Sequence, residues 1–276
     1  MTNQISLVLR VLTMVALSGP SFASVLYSIE FSSGTGFYTM DQTTGAKTFV
    51  GNTGNTSTGD LTSDEKSTIW TNDMTNDNLL TVDPATGAIT STIGIMGVTG
   101  GKIPIVSLAF DTVTHALYGN TAVGFGGTTN DTLFRIDPVT GAATFIGAIG
   151  FNTVYALGFD NSGTLFGISQ SRSALLKINT STGAGTMVAP VTLAAPYDLA
   201  FRPEDDKMFV ADSSPGTFSL YTMDPTTGAV TLVGPYGGNG TNLVGLAFLT
   251  PEPGTIGLML AGLALLGLKA RSSRKN

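Results

Sequence analysis

The chain has 276 residues, no cysteine, one histidine and a net charge of −6, with 42% apolar and only 12% charged residues. Disulfides, thiolate metal sites and histidine clusters for zinc are excluded, and most histidine-dependent catalysis goes with them. The apolar share excludes a disordered chain, and 35 glycines point to many short strands joined by tight turns.

The first element is a leader. Arg10 precedes an apolar run from Val11 to Leu17, Gly19 and Pro20 break it, and Ser21-Phe22-Ala23 puts small residues at the −3 and −1 positions of a cleavage site. The pattern predicts a secretory signal peptide over residues 1–23, with a signal helix cut between Ala23 and Ser24.

The body, residues 24–250, repeats itself. One phrase occurs five times: YTMDQTTGAKTFVG from Tyr38, LTVDPATGAITSTIG from Leu80, FRIDPVTGAATFIG from Phe134, LKINTSTGAGTMVA from Leu176 and YTMDPTTGAVTLVG from Tyr221. The phrase predicts a β-hairpin. Apolar residues alternate on both arms, aspartate bonds the backbone two residues on, proline presets φ, and glycine takes the left-handed position. A second phrase, strand–turn–strand, follows each hairpin, as in VSLAFDTVTHALYGNT from Val106 and YALGFDNSGTLFGIS from Tyr155. Four strands in about 45 residues is the size of a propeller blade.

The last copy stops at LVGLAF, Leu243–Phe248, and its missing partner stands at the other end of the body, where VLYSIE from Val25 matches ALYGNT from Ala116. The fold class expected is therefore all-β: a five-bladed β-propeller closed by the N- and C-terminal strands, flanked by the signal helix and a C-terminal transmembrane helix. In the first strand of each copy Leu61, Leu108, Leu157, Leu199 and Leu246 align. Small residues follow them, then Phe110, Phe159, Phe201 and Phe248, with Ser63 breaking the rule. Large faces packing on small ones would interlock neighbouring blades.

Candidate chemistry is sparse. The turn residues Asp41, Asp83, Asp137 and Asp224 recur, but Asn179 replaces them in the fourth copy, which favours turn capping over calcium. Asp60 and Asp198 precede the aligned leucine in first strands expected to line the channel, with Tyr155 and Tyr197 one position before that register. They are candidates for a channel ligand or ion site, or for an acid/base pair. No catalytic constellation, metal site or cofactor is predicted. The acids Glu30, Glu65 and Glu204 are scattered in sequence, and His115 has no partner arrangement of its own.

The chain ends in three parts. Pro251-Glu252-Pro253 stops regular structure, Gly254–Leu268 is an uncharged run of 15 residues, and Lys269, Arg271, Arg274 and Lys275 form a basic tip. The run is short for a transmembrane helix and would need lysine snorkelling. With five of thirteen cations in the leader and tip, eight face all nineteen acids in the rest of the chain, so a nucleic-acid partner is excluded.

Residues 251–276 resemble the PEP-CTERM sorting signal of Gram-negative bacteria. The basic tip departs from that pattern in being interrupted by Ser272 and Ser273. The resemblance implies recognition by an exosortase after export, with the inner membrane holding the tail until processing. The protein is then placed at the cell surface or outside the cell, alongside exopolysaccharide in biofilm matrix. An ordinary single-span anchor is the other reading, and it also keeps the body outside the cytoplasm. The expected function is non-catalytic, binding or structuring extracellular polysaccharide or another surface protein. The alternative is a glycan-active hydrolase or lyase using Asp60 and Asp198.

Overall fold

The computed structural model describes residues 23–31, 35–124, 130–214, 216, 218–237 and 242–250. The predicted signal helix, the transmembrane run, the Pro251-Glu252-Pro253 motif and the basic tip lie outside these residues. Among the described residues no helix is long and apolar enough to cross a membrane. Ser24–Leu249 forms one compact unit, and it is an all-β propeller of five blades.

Blade 1 begins with β1 (Val25–Phe31), β2 (Gly36–Met40) and β3 (Lys47–Asn52). Blade 2 is β4 (Thr58–Ser63), β5 (Ile69–Asp73), β6 (Asn78–Val82) and β7 (Ile89–Gly94). A short strand, β8 (Met96–Gly97), precedes blade 3, which is β9 (Ser107–Asp111), β10 (Ala116–Thr121), β11 (Thr132–Ile136) and β12 (Ala142–Ala148). Blade 4 is β13 (Val154–Phe159), β14 (Leu165–Ser169), β15 (Ala174–Ile178) and β16 (Gly185–Pro190). Blade 5 is β17 (Pro196–Phe201), β18 (Met208–Asp212), β19 (Ser219–Met223) and β20 (Val230–Pro235). The last strand, β21 (Asn242–Leu249), returns to blade 1, giving the order β21-β1-β2-β3. It pairs antiparallel with β1 from Val25↔Leu249 to Phe31↔Asn242, so the composite blade read from VLYSIE is present.

The repeated phrase folds as its residues dictate. In the third copy the Gly141 N–H donates to the Asp137 carbonyl at 2.8 Å, and the Asp137 N–H donates to Ala142 at 2.9 Å. The Asp137 carboxylate accepts from the Val139 and Thr140 amides at 2.8 and 3.2 Å. Asn179 caps Ser181 and Thr182 in the same way, at 2.8 and 3.0 Å, without a charge. These turns are built from local capping, which accounts for the recurring carboxylates.

Each turn also does a second job. Gly183 has φ +80°, and a Cβ there would stand 2.5 Å from the Gly147 carbonyl oxygen of the blade before it. A Cβ on Gly147 would in turn stand 2.0 Å from the Thr182 carbonyl. The hairpin of each blade therefore lies directly on the outermost strand of its predecessor, backbone on backbone. The pattern runs round the ring to Gly45 of blade 1 against Gly234 of blade 5.

Five hydrophobic clusters fill the spaces between consecutive blades, one per interface. An aromatic on each second strand meets the phenylalanine of the next blade's first strand: Trp70–Phe110, Tyr118–Phe159, Phe166–Phe201 and Phe209–Phe248, with centroids 5.1–5.6 Å apart. Leu199 packs where a Cβ on Gly158 would clash, so the large-on-small interlock holds there. At the interface of blades 1 and 2 the aromatic pair is absent, because Ser63 stands in the phenylalanine position. Tyr27 stacks instead on Phe37 of its own blade, at 5.3 Å. The Ser63 hydroxyl donates to the Phe248 carbonyl at 2.5 Å, so a hydrogen bond replaces the missing ring.

Candidate functional site

The inner strands β4, β9, β13, β17 and β21 contact one another in a closed cycle and define the axis. Asp60 and Asp198 project into it and come within hydrogen-bonding reach of each other across it. Sequence register placed them on equivalent strands; the structure places them together and seals them, for both are 0% exposed. Asp60 Oδ1 accepts from the Leu61 amide at 2.7 Å, and its Oδ2 from Leu108 of blade 3 at 2.9 Å. Asp198 Oδ1 accepts from the Leu199 amide at 2.6 Å, and its Oδ2 from Leu246 of blade 1. Each carboxyl thus staples its own blade to the next.

Burial dominates the electrostatics of the pair. Desolvation pushes the Asp60 carboxyl up to about 7, opposed by its hydrogen bond with Asp198 and by the Leu108 and Leu61 amides. Asp198 is driven well above the ordinary carboxylate range, first by burial and then by the charge of Asp60. Two carboxyls in contact away from water cannot both ionise cheaply, so the pair holds on to a shared proton well above the ordinary carboxylate range.

Tyr155 and Tyr197 lie at one mouth of the axis. Their rings stack with centroids 6.1 Å apart and planes 17° from parallel, and both are half-buried. With Phe31, Met74, Val106 and Val244 they line a shallow apolar depression. Burial, then the charges of Asp131 and Tyr197, raise the Tyr155 phenol. Buried Asp131 accepts from the Val123 and Val154 amides at 2.8 and 2.6 Å.

At the opposite mouth stand Phe110, Phe159, Phe201, Phe248 and Ser63, with Glu65 beside them. Glu65 adopts a left-handed backbone, φ 61°. Burial pushes its carboxyl up to about 7, reinforced by the charges of Glu204, Asp206 and Asp64. Glu65 and Glu204 are thus neighbours although 139 positions apart in sequence, a proximity that only ring closure creates. Ala23 is exposed, Ser24 is buried, and both nitrogen and hydroxyl of Ser24 meet the Glu204 carboxylate. No sequence signal pointed to that contact. His115 lies in the β9–β10 turn and faces the Phe110 ring at 6.4 Å. Among the described residues no group of three or more histidine, aspartate or glutamate side chains gathers as a metal site.

The family described as a repeat of unknown function (DUF6923) matches residues 96–259, more than half of the chain. The chain belongs to the DUF6923 family. The matched DUF6923 span runs from β8 through blades 3, 4 and 5 to the closing strand β21. The PEP-CTERM protein-sorting motif matches residues 249–275, which include Pro251, Glu252, Pro253, Lys269, Arg271, Arg274 and Lys275. That motif implies export and processing by an exosortase. No curated protein matches the chain. Among solved structures, a chain of a nidogen/laminin complex matches with a TM-score of 0.55 at 12% identity, over 82% of this chain and 98% of that one, a likeness of fold alone. Hydrazine synthase of Kuenenia stuttgartiensis gives 0.44 at 14% identity over 68% of this chain. A protein of unknown function from Bacteroides thetaiotaomicron gives 0.47 at 14% over 76%. This DUF6923 chain covers about half the length of each of those two, 49% and 50%.

Proposed function

We propose that this is an exported, non-catalytic propeller that binds or organises extracellular polysaccharide at the cell surface. In this reading the leader is residues 1–23, the working body residues 24–250, and residues 251–276 a tail removed by an exosortase. The observation that carries the non-catalytic reading is the state of Asp60 and Asp198. Both carboxyls are fully buried and committed to backbone amides, so neither offers a substrate an acid or a base. The depression around Tyr155 and Tyr197 supports the binding reading, because paired aromatic faces rimmed by apolar side chains suit the C–H faces of sugar rings.

Binding is tested by retention of the protein on exopolysaccharide from its native host. Replacing Tyr155 and Tyr197 together by alanine removes two stacking faces, each worth about 0.5–1.5 kcal/mol, and is expected to weaken retention roughly five- to a hundred-fold. Asp60→Asn is expected to leave retention unchanged. Polymer shortening by the wild type that Asp60→Asn abolishes would instead establish the hydrolase alternative. Processing is tested by the intact mass of the protein recovered from the cell surface. The expected form has lost the tail at or near Pro251-Glu252-Pro253, and a surface form that retains Gly254–Asn276 overturns exosortase cleavage.

A further inference from the structure

Ser24 is only 3% exposed, yet its backbone nitrogen points at a carboxylate. That nitrogen donates to Glu204 Oε1, and the Ser24 hydroxyl donates to Glu204 Oε2 at 2.8 Å, so one carboxylate grips one residue with both oxygens. The Ser24 carbonyl accepts from Gln42 Nε2 at 2.6 Å, and Gln42 Oε1 accepts from Arg202 Nη1 at 3.0 Å. Glu204 and Arg202 lie in the β17–β18 turn of blade 5, and Gln42 in the β2–β3 turn of blade 1. The nest therefore spans the seam where the last complete blade meets the composite one.

An amide nitrogen brings one hydrogen and no charge to this carboxylate. We propose that the true occupant of the nest is the α-ammonium of Ser24, created when the leader is removed, with Glu204 as its counter-ion. This rests on the cleavage reading given above. Hydrolysis of the Ala23–Ser24 peptide consumes one water; the new carboxylate leaves on Ala23 and the amine on Ser24 takes up a proton. Ala23 is exposed, so its departure breaks no packing of the body. A buried ammonium without a partner is costly, and Glu204 is the acid whose oxygens already meet that nitrogen. Cleavage thus turns a neutral contact into an ion pair across the seam, and leader removal tightens ring closure. Capture of a terminal amine in backbone nests is a general recognition mode; here the partner is a side-chain carboxylate.

The sign of the pH dependence follows. Pairing raises the folded-state pKa of the ammonium above the ordinary α-amino value of about 7.7–8.0. The added stability is present in full below that value and is lost as pH rises through the raised one. Around the nest stand Arg202, Asp205, Asp206, Asp64, Glu65 and Lys207. All are common to the proteins compared below and cancel. Glu204 is itself exposed, so the effect is that of a partly screened pair.

Four proteins test this: the full chain beginning at Ser24 with a free amine, the same chain beginning at Ala23, and each with Glu204→Gln, all held in detergent. The Ser24 form is expected to melt one to four degrees above the Ala23 form near pH 7 (roughly the span for a partly exposed pair in a body of this size). The gap should close by about pH 10. Glu204→Gln should erase it. An equal gap in the glutamine pair, or none in the wild-type pair, overturns the proposal. Should Glu204→Gln fail to fold, NMR titration of the Ser24 amine in the wild type decides: a pKa above about 8 supports the pair, and an unshifted value sinks it. Amino-terminal sequencing of the natural protein is a separate outcome, since a start other than Ser24 overturns the cleavage reading itself.

Discussion

Asp198→Ala is expected to cost the propeller about 2–6 kcal/mol, because it leaves the buried Leu199 and Leu246 amides without acceptors at about 1–3 kcal/mol each. Asp198→Asn separates the loss of an acceptor from the loss of a titration. In the wild type the folded pair keeps a proton that the unfolded chain gives up near the ordinary aspartate value of 3.8. The folded state then binds more protons than the unfolded one, so stability contributed by the pair is full below about pH 4 and declines as pH rises through about 7. An asparagine supplies its own N–H to Asp60 and cannot lose it, but offers one acceptor where the carboxyl offered two. The variant should therefore be less stable than wild type at pH 5, by about 1–3 kcal/mol, and the gap should narrow toward pH 8. Urea unfolding at pH 5, 6.5 and 8 reads this directly. A gap that stays constant or widens with pH means that no shared proton exists.

Gly183→Ala is the second large effect, and Gly150→Ala is its control. Both glycines have left-handed backbones, φ +80° and +79°, so alanine pays about 1–2 kcal/mol of strain at either. They differ in what surrounds them. A Cβ at Gly150 meets nothing within 4 Å, whereas at Gly183 it stands 2.5 Å from the Gly147 carbonyl. Forcing that backbone contact apart adds about 1–3 kcal/mol of overpacking, so Gly183→Ala should lose about 2–5 kcal/mol in all. Equal losses at the two positions would mean that the hairpin does not bear on its neighbour.

Those two sites also mark where the sequence could and could not be read. The hairpin phrase was legible because its determinants are local: an aspartate or asparagine that caps, a proline, and a left-handed glycine within five residues. Ring closure was legible because Val25–Glu30 carries the pattern of the second blade strand, which the last copy lacks. That the same glycine also seats one blade on the next was not legible, since the partner lies in another repeat and glycine at a turn already had a sufficient reason. The axis behaved similarly. Register aligned Asp60 with Asp198, but the narrowness of a five-blade centre turns an expected open lining into a sealed contact. Ser63 looked like a defect in the phenylalanine rule, and only the fold shows the Phe248 carbonyl that its hydroxyl serves. The two-residue strand β8, which adds in parallel to β12 at Ala142↔Met96, is too short and too glycine-rich in its surroundings to leave a periodicity.

The pairing of Val25 with Leu249 has a bearing on display. It brings the first and last residues of the folded body side by side, at the end of the axis where Glu65 bridges Leu249. β21 reaches that end after eight residues, about 26 Å, from the mouth that holds Val244, Tyr155 and Tyr197. The first and last strand ends of the body therefore lie at one end of the axis, and the tyrosine-lined depression lies at the other.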